Sequence, residues 1–258
     1  MKANYLKNAN SRISIIIILI ILSSCISQKK VWILQNKDKD AKSNTFYNLK
    51  NTTYRLQPGD YVFIKVYSTD RETSKFFQTE FPTLMNPTYL YLNSYSVNAE
   101  GYLNFSFIDK IYVKGLTIEE IQGNIQKIMN EYFNDVTITV KLVNFRISVL
   151  GEVKNEREFI ITQDQINILE AIAFAGGIEE FGNRKKVAVI RQTDVGSNIH
   201  YLDLTDKRIL ESDYYYLMPN DVVYVEPRKS KSFLYSTMPY GTFISTISLI
   251  IAILAFLY

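Results

Sequence analysis

The chain has 258 residues, with 29 Lys and Arg against 26 Asp and Glu. The three basic residues in excess, Lys2, Lys7 and Arg12, all lie in the first 24 positions, so the remainder is formally neutral. This balance excludes a nucleic-acid partner, which would require a basic face to neutralise phosphates. Because His200 is the only histidine and Cys25 the only cysteine, a zinc site and a Ser-His-Asp site are excluded as well.

Residues 1–25 have the organisation of a bacterial lipoprotein signal. The basic start is followed by an apolar run at 13–22, which is too short for an ordinary membrane-spanning helix. The run ends in Leu22-Ser23-Ser24-Cys25, which looks like a lipobox, where the thiol is diacylated and the chain is cut just before it. The alternative is a buried free thiol. We predict a signal peptide at 1–24 and a lipidated Cys25, firmly held by two acyl chains, and the absence of an acidic residue at Ile26 favours the outer membrane.

The next segment, 25–51, is rich in Lys, Asp, Asn, Ser and Thr. This composition is typical of a tether, which we place between the lipid and the first folded domain. About 180 residues then remain before an apolar tail, enough for one or two domains.

Two motifs of the form Leu-x-Pro-[Gly/Asn]-Asp precede predicted strands. The motif residues are Pro58, Gly59 and Asp60 in the first and Pro219, Asn220 and Asp221 in the second. Proline fixes φ at the second position of a type II turn, and glycine or asparagine tolerates the positive φ of the third. The alternating residues that follow are strand-like. The repetition predicts two related β-rich modules.

In the first module, 68–93 is expected to be irregular and 97–113 to form a pair of strands around Gly101. Thr117 and Glu120 form a capping box, and apolar residues at helical spacing predict a helix from Ile118 to about residue 134. A half-buried strand is predicted at 136–143.

In the second module, strands are predicted at 146–152, 159–161, 186–191 and 201–204. Asn167 and Glu170 cap a helix over 168–175, which Gly176 and Gly177 end. Short strands around one helix, found twice, predict an α+β protein with two small β-rich domains, at 52–145 and 146–230, rather than a parallel α/β sheet.

We expect no enzyme. Gly176-Gly177 is not part of a phosphate-binding loop. Glu179 and Glu180 could be proposed as the carboxylates of a glycoside hydrolase, but neighbouring side chains after a helix end are more typical of a solvated turn. No cofactor or metal is expected.

The C-terminal segment, 231–258, has no charged residue after its first position. As a helix, its last seventeen residues rise roughly 25 Å, close to the thickness of a thin outer-membrane core. We predict a transmembrane helix, with a tail anchor and a buried terminal helix as alternatives. Four small residues share one stripe of this helix and are a candidate helix interface: Ser245, Ser248, Ala252 and Ala255. Ser and Ala are also common in such segments without forming an interface.

In order and spacing, these motifs resemble those of the polysaccharide biosynthesis/export family of outer-membrane lipoproteins. Residues 54–60 and 100–119 are similar to two stretches of its export domain. Residues 149–153, the helix ending in Ala-Gly-Gly at 175–177, and 217–225 resemble its soluble ligand-binding β-grasp (SLBB) domain. Residues 89–93 and 182–185 look most like Bacteroidetes members.

The resemblance implies an export domain at 52–145, an SLBB domain at 146–230 and a transmembrane helix at 231–258. It also implies a ring-shaped homo-oligomer, an octamer in the best-known relative, whose C-terminal helices cross the outer membrane. The lumen would pass capsular or exopolysaccharide from the periplasm to the cell surface. The implied partner is an inner-membrane polysaccharide co-polymerase, often a tyrosine autokinase, and no cofactor is implied.

The alternative is a monomeric periplasmic lipoprotein that binds glycan or scaffolds other envelope proteins. It differs from the channel in its oligomeric state and in whether the tail spans a membrane.

Overall fold

The structure is a computed structural model that describes residues 32–35, 54–70, 73, 77, 87–105, 108, 110–193, 195–229, 231 and 240–257. The predicted signal peptide, Cys25 and most of the predicted tether lie outside these residues.

The described part of the chain contains short strands and four α-helices. The strands are β1 (Tyr61–Ser68), β2 (Tyr95–Ser96), β3 (Tyr102–Leu103), β4 (Ile111–Tyr112), β5 (Val136–Leu142), β6 (Arg146–Gly151), β7 (Arg157–Ile160), β8 (Ile166–Asn167), β9 (Gly182–Thr193), β10 (Gly196–Leu202), β11 (Tyr216–Leu217) and β12 (Val222–Pro227). The helices are α1 (Pro87–Leu92), α2 (Ile118–Tyr132), α3 (Ile168–Phe174) and α4 (Tyr240–Leu257), and Lys207–Glu211 forms a 3-10 helix. This mixture confirms the α+β class.

The first domain is built on a three-stranded antiparallel sheet in the order β2-β1-β5. Successive residues of β1 point to opposite faces, so Val62 and Ile64 are buried in the core. Helix α2 packs on β5 and contributes Ile121, Ile125 and Met129, which recur at helical spacing and are fully buried. The core of this domain therefore lies between one face of the sheet and α2.

The predicted capping box of α2 is confirmed. The Glu120 N–H donates to Thr117 Oγ1 at 3.2 Å, and the Thr117 N–H donates to Glu120 Oε2 at 2.8 Å. Farther along, the Gln126 side chain donates to the Val136 carbonyl at 2.8 Å and accepts from the Ile138 N–H at 2.9 Å. The helix therefore also holds the start of β5 through a side-chain amide.

The second domain is built on a five-stranded sheet in the order β10-β9-β12-β6-β7, antiparallel except for the parallel pair β12 and β6. Helix α3 has the predicted capping box, since Asn167 Oδ1 accepts from the N–H groups of Leu169 and Glu170, each at 3.0 Å. It ends at glycines with positive φ, Gly176 and Gly177. Leu142 packs against the cores of both domains.

Some predicted elements are corrected by the structure. Residues 87–92, predicted to be irregular, form helix α1, whose end is closed by the Asn93 N–H and side chain, both donating to the Tyr89 carbonyl. The predicted strand at 186–191 lies within β9, and only the first half of the predicted strand at 201–204 lies within β10, which ends at Leu202. The two strands form one long hairpin, and their pairing extends both of them toward the hairpin turn beyond the residues predicted from alternation.

The C-terminal segment is helical at Tyr240–Leu257. Among the described residues, no helix combines the length and the apolarity needed to cross a membrane. The predicted transmembrane helix over 231–258 is therefore not supported by the described residues.

Gly151 offers a test of how β6 and β12 pack. It has φ +91°, and a Cβ there would lie 2.2 Å from the Val225 carbonyl oxygen. We expect Gly151→Ala to lower the free energy of unfolding by more than the roughly 1–3 kcal/mol typical of a strained backbone, because a steric clash with backbone is added. Urea titration of the purified full-length protein measures this.

Gly123→Ala is the matched control, since Gly123 is exposed within α2 and a Cβ there has open space. This variant should be more stable by about 0.5–1 kcal/mol. Equal stabilities of the two variants would contradict the close approach at Gly151.

Candidate functional site at the domain junction

The first Pro-Gly-Asp motif forms a tight turn at the start of β1. The Asp60 N–H donates to the Gln57 carbonyl at 3.1 Å, and Gly59 has φ +93°. The Asp60 carboxylate folds back and accepts from the Gln57 N–H at 2.8 Å. The turn is therefore closed twice, once through the backbone and once through the aspartate side chain.

The second motif forms the same turn at the start of β12. The Asp221 N–H donates to the Met218 carbonyl at 3.1 Å, and Asn220 has φ +67°. The Asp221 carboxylate accepts from the Met218 N–H at 2.8 Å. The two modules thus share this local structure as well as the motif.

The two turns converge on the linker between the domains, residues 143–146. From the first domain, the Tyr61 carbonyl accepts from the Val143 N–H at 2.9 Å, and the Tyr61 N–H donates to Asn144 Oδ1 at 3.1 Å. From the second domain, the Asn220 N–H donates to the Arg146 carbonyl at 2.8 Å. We call this arrangement the junction clamp. It fixes the linker from both sides and thereby the orientation of one domain relative to the other.

The two aspartates of the clamp are both buried, but their partners differ in charge. Asp221, 1% exposed, forms an ion pair with Arg191, whose Nη2 lies 2.7 Å from Oδ2. Asp60, 3% exposed, accepts from neutral donors: the Tyr54 hydroxyl at 2.8 Å, the Gln57 N–H and the Asn144 amide at 3.4 Å. Burial therefore raises the pKa of Asp60 above its ordinary value, while these hydrogen bonds oppose the rise. Burial and the nearby Asp60 carboxylate also raise the pKa of the Tyr54 hydroxyl.

A cleft of about 1110 Å³ opens beside the clamp and is lined by both domains. Its first wall is the outer face of β1, where aromatic residues and a lysine alternate with the core residues. The wall residues are Tyr61, Phe63, Lys65 and Tyr67. The opposite wall comes from 160–165 and 216–219 of the second domain.

Aromatic and charged groups are combined in this cleft. Tyr61 lies against Tyr91 of α1 with ring centroids 5.0 Å apart, and Lys65 Nζ lies 4.5 Å from the centroid of Tyr67. Lys141 bridges the domains through a 2.8 Å ion pair with Asp164, which is exposed and thus contributes little to stability. Apolar walls with a few polar groups are typical of ligand sites. The arrangement is compatible with the binding of an extended polar chain.

The six turn residues predicted from the sequence form two separate turns, each of which is hydrogen-bonded beside the linker. The other predicted site residues lie elsewhere: Ser245, Ser248 and Ala252 are exposed on α4, Ala255 is in α4 with its side chain outside the described residues, and Cys25 lies outside them. Sequence reasoning missed Asn144 and the aromatic wall. The alternating aromatic residues on the polar face of β1 were the available signal, because a solvated strand face has little need of them.

Glu179, Glu180 and His200 do not line the cleft. Glu179 and Glu180 are exposed in a turn, and His200 stacks on Tyr214 with ring centroids 4.3 Å apart. Within the part of the chain that the structure describes, no three potential metal ligands lie together.

Comparison with known proteins identifies both domains. Residues 48–143 match the family described as polysaccharide biosynthesis/export protein, and residues 145–225 match the SLBB domain. The chain is also 26% identical over 162 residues to the EPS I polysaccharide export outer membrane protein EpsA of Ralstonia solanacearum. That alignment covers 55% of this chain and 40% of EpsA, so the chain matches less than half of that relative's length.

Asp60 is buried and, in the contacts described, bonds to neutral donors only. This makes the free energy of unfolding depend on pH. The pKa of Asp60 is higher in the folded state than in the unfolded state. At a pH between these two pKa values, the folded state therefore holds a proton that the unfolded state has lost. The free energy of unfolding contributed by Asp60 therefore falls as pH rises through this window. We expect Asp60→Asn to remove that slope. Urea titrations of the full-length protein from acid to neutral pH measure it.

Tyr54→Phe is the companion variant. Losing the Tyr54 hydroxyl removes a hydrogen bond that lowers the pKa of Asp60, so the falling limb should extend to higher pH. Parallel profiles for wild type and Asp60→Asn would contradict this assignment.

Proposed function

We propose, from the premise that the chain belongs to the polysaccharide biosynthesis/export family, that it passes capsular or exopolysaccharide from the periplasm to the cell surface. The observation that carries the proposal is the tandem order of the two matches, which follow each other at 48–143 and 145–225. The similarity to the Ralstonia relative, which is an outer membrane polysaccharide export protein, supports it. We propose no catalytic role, since the matched domains are those of export and ligand binding.

We further propose that the chain is lipidated at Cys25, sits in the outer membrane facing the periplasm, and assembles as a homo-oligomeric ring. Helix α4 supports the assembly, because it exposes large apolar side chains that a monomer in water would leave uncovered. They are Ile244, Ile247, Leu249, Ile250, Ile251 and Ile253, each 49–65% exposed. An inner-membrane polysaccharide co-polymerase, such as a tyrosine autokinase, is the proposed partner on the periplasmic side.

The junction cleft favours a second candidate, a monomeric lipoprotein that binds glycan. Tyrosine rings present a flat apolar face and a polar edge, which suits the alternating apolar and hydroxyl surfaces of a sugar. The two candidates are separated by oligomeric state. Detergent extraction followed by mass measurement and negative-stain imaging would show a ring with a lumen for the export channel and a monodisperse monomer for the glycan binder.

Export itself is tested by deleting the gene and measuring polysaccharide at the cell surface and inside the envelope. We expect surface polymer to be lost and regained when the wild-type chain is supplied again. Cys25→Ser should restore less surface polymer than wild type at equal protein level, because the anchor is lost. Unchanged surface polymer in the deletion strain would refute the proposed function.

The small residues of α4 are proposed to form a contact between neighbouring helices in the ring. Ser248→Leu and Ala252→Leu should weaken the assembly because a larger side chain prevents close approach. Thr246→Leu is the matched control, as its position lies on the other side of the helix. The mass of the detergent-extracted complex is the measurement, and an intact ring with all variants would rule out this contact.

A further inference from the structure

The segment 32–35, which we call the strap, is docked on the second domain rather than on the first. The Leu34 N–H donates to the Leu204 carbonyl at 3.0 Å, and the Gln35 N–H donates to the Thr205 carbonyl at 2.8 Å. The Lys207 N–H returns a bond to the Gln35 carbonyl at 3.3 Å. The predicted tether therefore contacts the second domain at this point, through a short parallel bridge between Gln35 and Asp206.

The surface that receives the strap is rigidly built. Leu204 and Thr205 are each 1% exposed, and the Leu204 N–H donates to the Arg184 carbonyl at 2.8 Å. Asp206 caps the 3-10 helix by accepting from the Arg208 N–H at 3.0 Å. Seating the strap on such a site fixes its backbone, so the side chains that it exposes have a defined direction.

The strap exposes its apolar side chains instead of burying them. Trp32 is 58% exposed, Ile33 49% and Leu34 37%, although the backbone beside them is held. Leu34 has φ +54°, a conformation that costs a non-glycine residue free energy. A held backbone with three adjacent exposed apolar side chains is the pattern of a surface that meets another apolar phase.

The short distance along the chain between Cys25 and the strap indicates that this apolar phase is the lipid leaflet. Trp32 is the seventh residue after Cys25, and seven fully extended residues span at most roughly 25 Å. If Cys25 carries acyl chains in a leaflet, as proposed above, Trp32 cannot lie farther than this from the anchored thiol. Tryptophan side chains also favour the headgroup level of a bilayer.

The C-terminal end of the second domain lies at the same place. Pro227, the last residue of β12, pairs with Gly182, two residues from Arg184, which supports the strap site. Successive residues in a strand rise about 3.3 Å, so the two points are within about 7 Å along β9. The lipid-anchored end of the chain and the start of the segment leading to α4 therefore both leave the domain at this end.

We propose that the side chains of Trp32, Ile33 and Leu34 insert into the headgroup region of the leaflet that holds the Cys25 acyl chains, so that the second domain is the membrane-proximal one. The strap thus provides a docking surface that orients the domain on the lipid. This inference rests on the proposed lipidation of Cys25.

Trp32 is the only tryptophan of the chain, so its fluorescence reports on the strap alone. The lipidated full-length protein is reconstituted in vesicles of phosphatidylethanolamine and phosphatidylglycerol that contain phosphatidylcholine brominated near the headgroup or near the bilayer centre. We expect the Trp32 emission to lie at shorter wavelength than that of the Cys25→Ser protein in buffer without lipid or detergent. We also expect bromines near the headgroup to quench the emission more strongly than bromines near the bilayer centre. Emission that is unshifted and unquenched would overturn the inference.

A blue shift without quenching by either lipid would also overturn it, because it would assign the strap to a second copy of the chain. The premise is read separately. Mass spectrometry of the same sample shows whether Cys25 is acylated, and surface polysaccharide in the producing strain reports export. An unquenched Trp32 in an acylated, exporting protein would refute only the insertion of the strap into the headgroup region. An unacylated chain would refute both this insertion and the lipidation on which it rests.

The orientation has its own measurement. Because the Cys25 thiol is consumed by acylation, a cysteine introduced at Glu211 or at Glu131 is the only free thiol and can be dye-labelled. Both positions are exposed, the first beside the strap site and the second on α2. Energy transfer to a labelled lipid should be stronger from Glu211→Cys than from Glu131→Cys, and Leu34→Pro, which removes the N–H donor, should reduce the difference. Equal transfer from both positions would contradict a membrane-proximal second domain.

Discussion

The linker at 143–146 is the constraint on which the arrangement of this molecule depends. A linker this short has few conformations, and here each end is bound by a turn from the domain that it enters or leaves: Tyr61 at its start and Asn220 at its end. Hydrogen bonds of this kind contribute about 1 kcal/mol each, which is modest singly. Together with Leu142, which is packed against both cores, they remove the hinge that a free linker would provide. The cleft therefore has fixed walls.

The two aspartates of the junction clamp close turns of the same geometry, although one carboxylate is paired with a charged side chain and the other is bonded to neutral donors. Asp221 is neutralised by a bidentate arginine, the arrangement that best compensates the desolvation of a buried carboxylate. Asp60 lacks that compensation in the contacts described and relies on hydroxyl, amide and backbone donors. Both carboxylates nevertheless bond to the N–H three residues earlier, because that bond closes the turn. The closure of the turn, rather than the charge, is what the two modules share.

Local features of the fold could be predicted from the sequence. The capping boxes at Thr117 and Asn167 involve residues three apart, and the Pro-[Gly/Asn]-Asp turns involve neighbours, so the chain needs no distant partner to form them. Strand bounds were less accurate, since β9 and β10 gain their length from pairing with each other. The parallel contact of β6 with β12 and the cleft join residues about seventy positions apart, for which no periodicity in the sequence gives a signal.

The C-terminal segment was predicted from its apolarity to be a helix, and a helix is present at Tyr240–Leu257. The further prediction that it crosses a membrane has no support among the described residues. The strap was missed in the sequence. Residues 32–35 are a short apolar break in a polar segment, and the partners of this break are the backbone carbonyls of Leu204 and Thr205, which lie far along the chain.

In the proposed docking of the strap, a chain held by lipid at Cys25 can still place its first domain away from the lipid. Eighteen residues lie between Gln35 and Tyr54, which reach up to roughly 60 Å when extended. A domain the size of the second one has a radius of gyration of about 12 Å, so this segment can pass along it and enter the first domain on the far side. In the proposed orientation, the order outward from the leaflet is the strap, the second domain and the first domain, with the cleft lined by both domains.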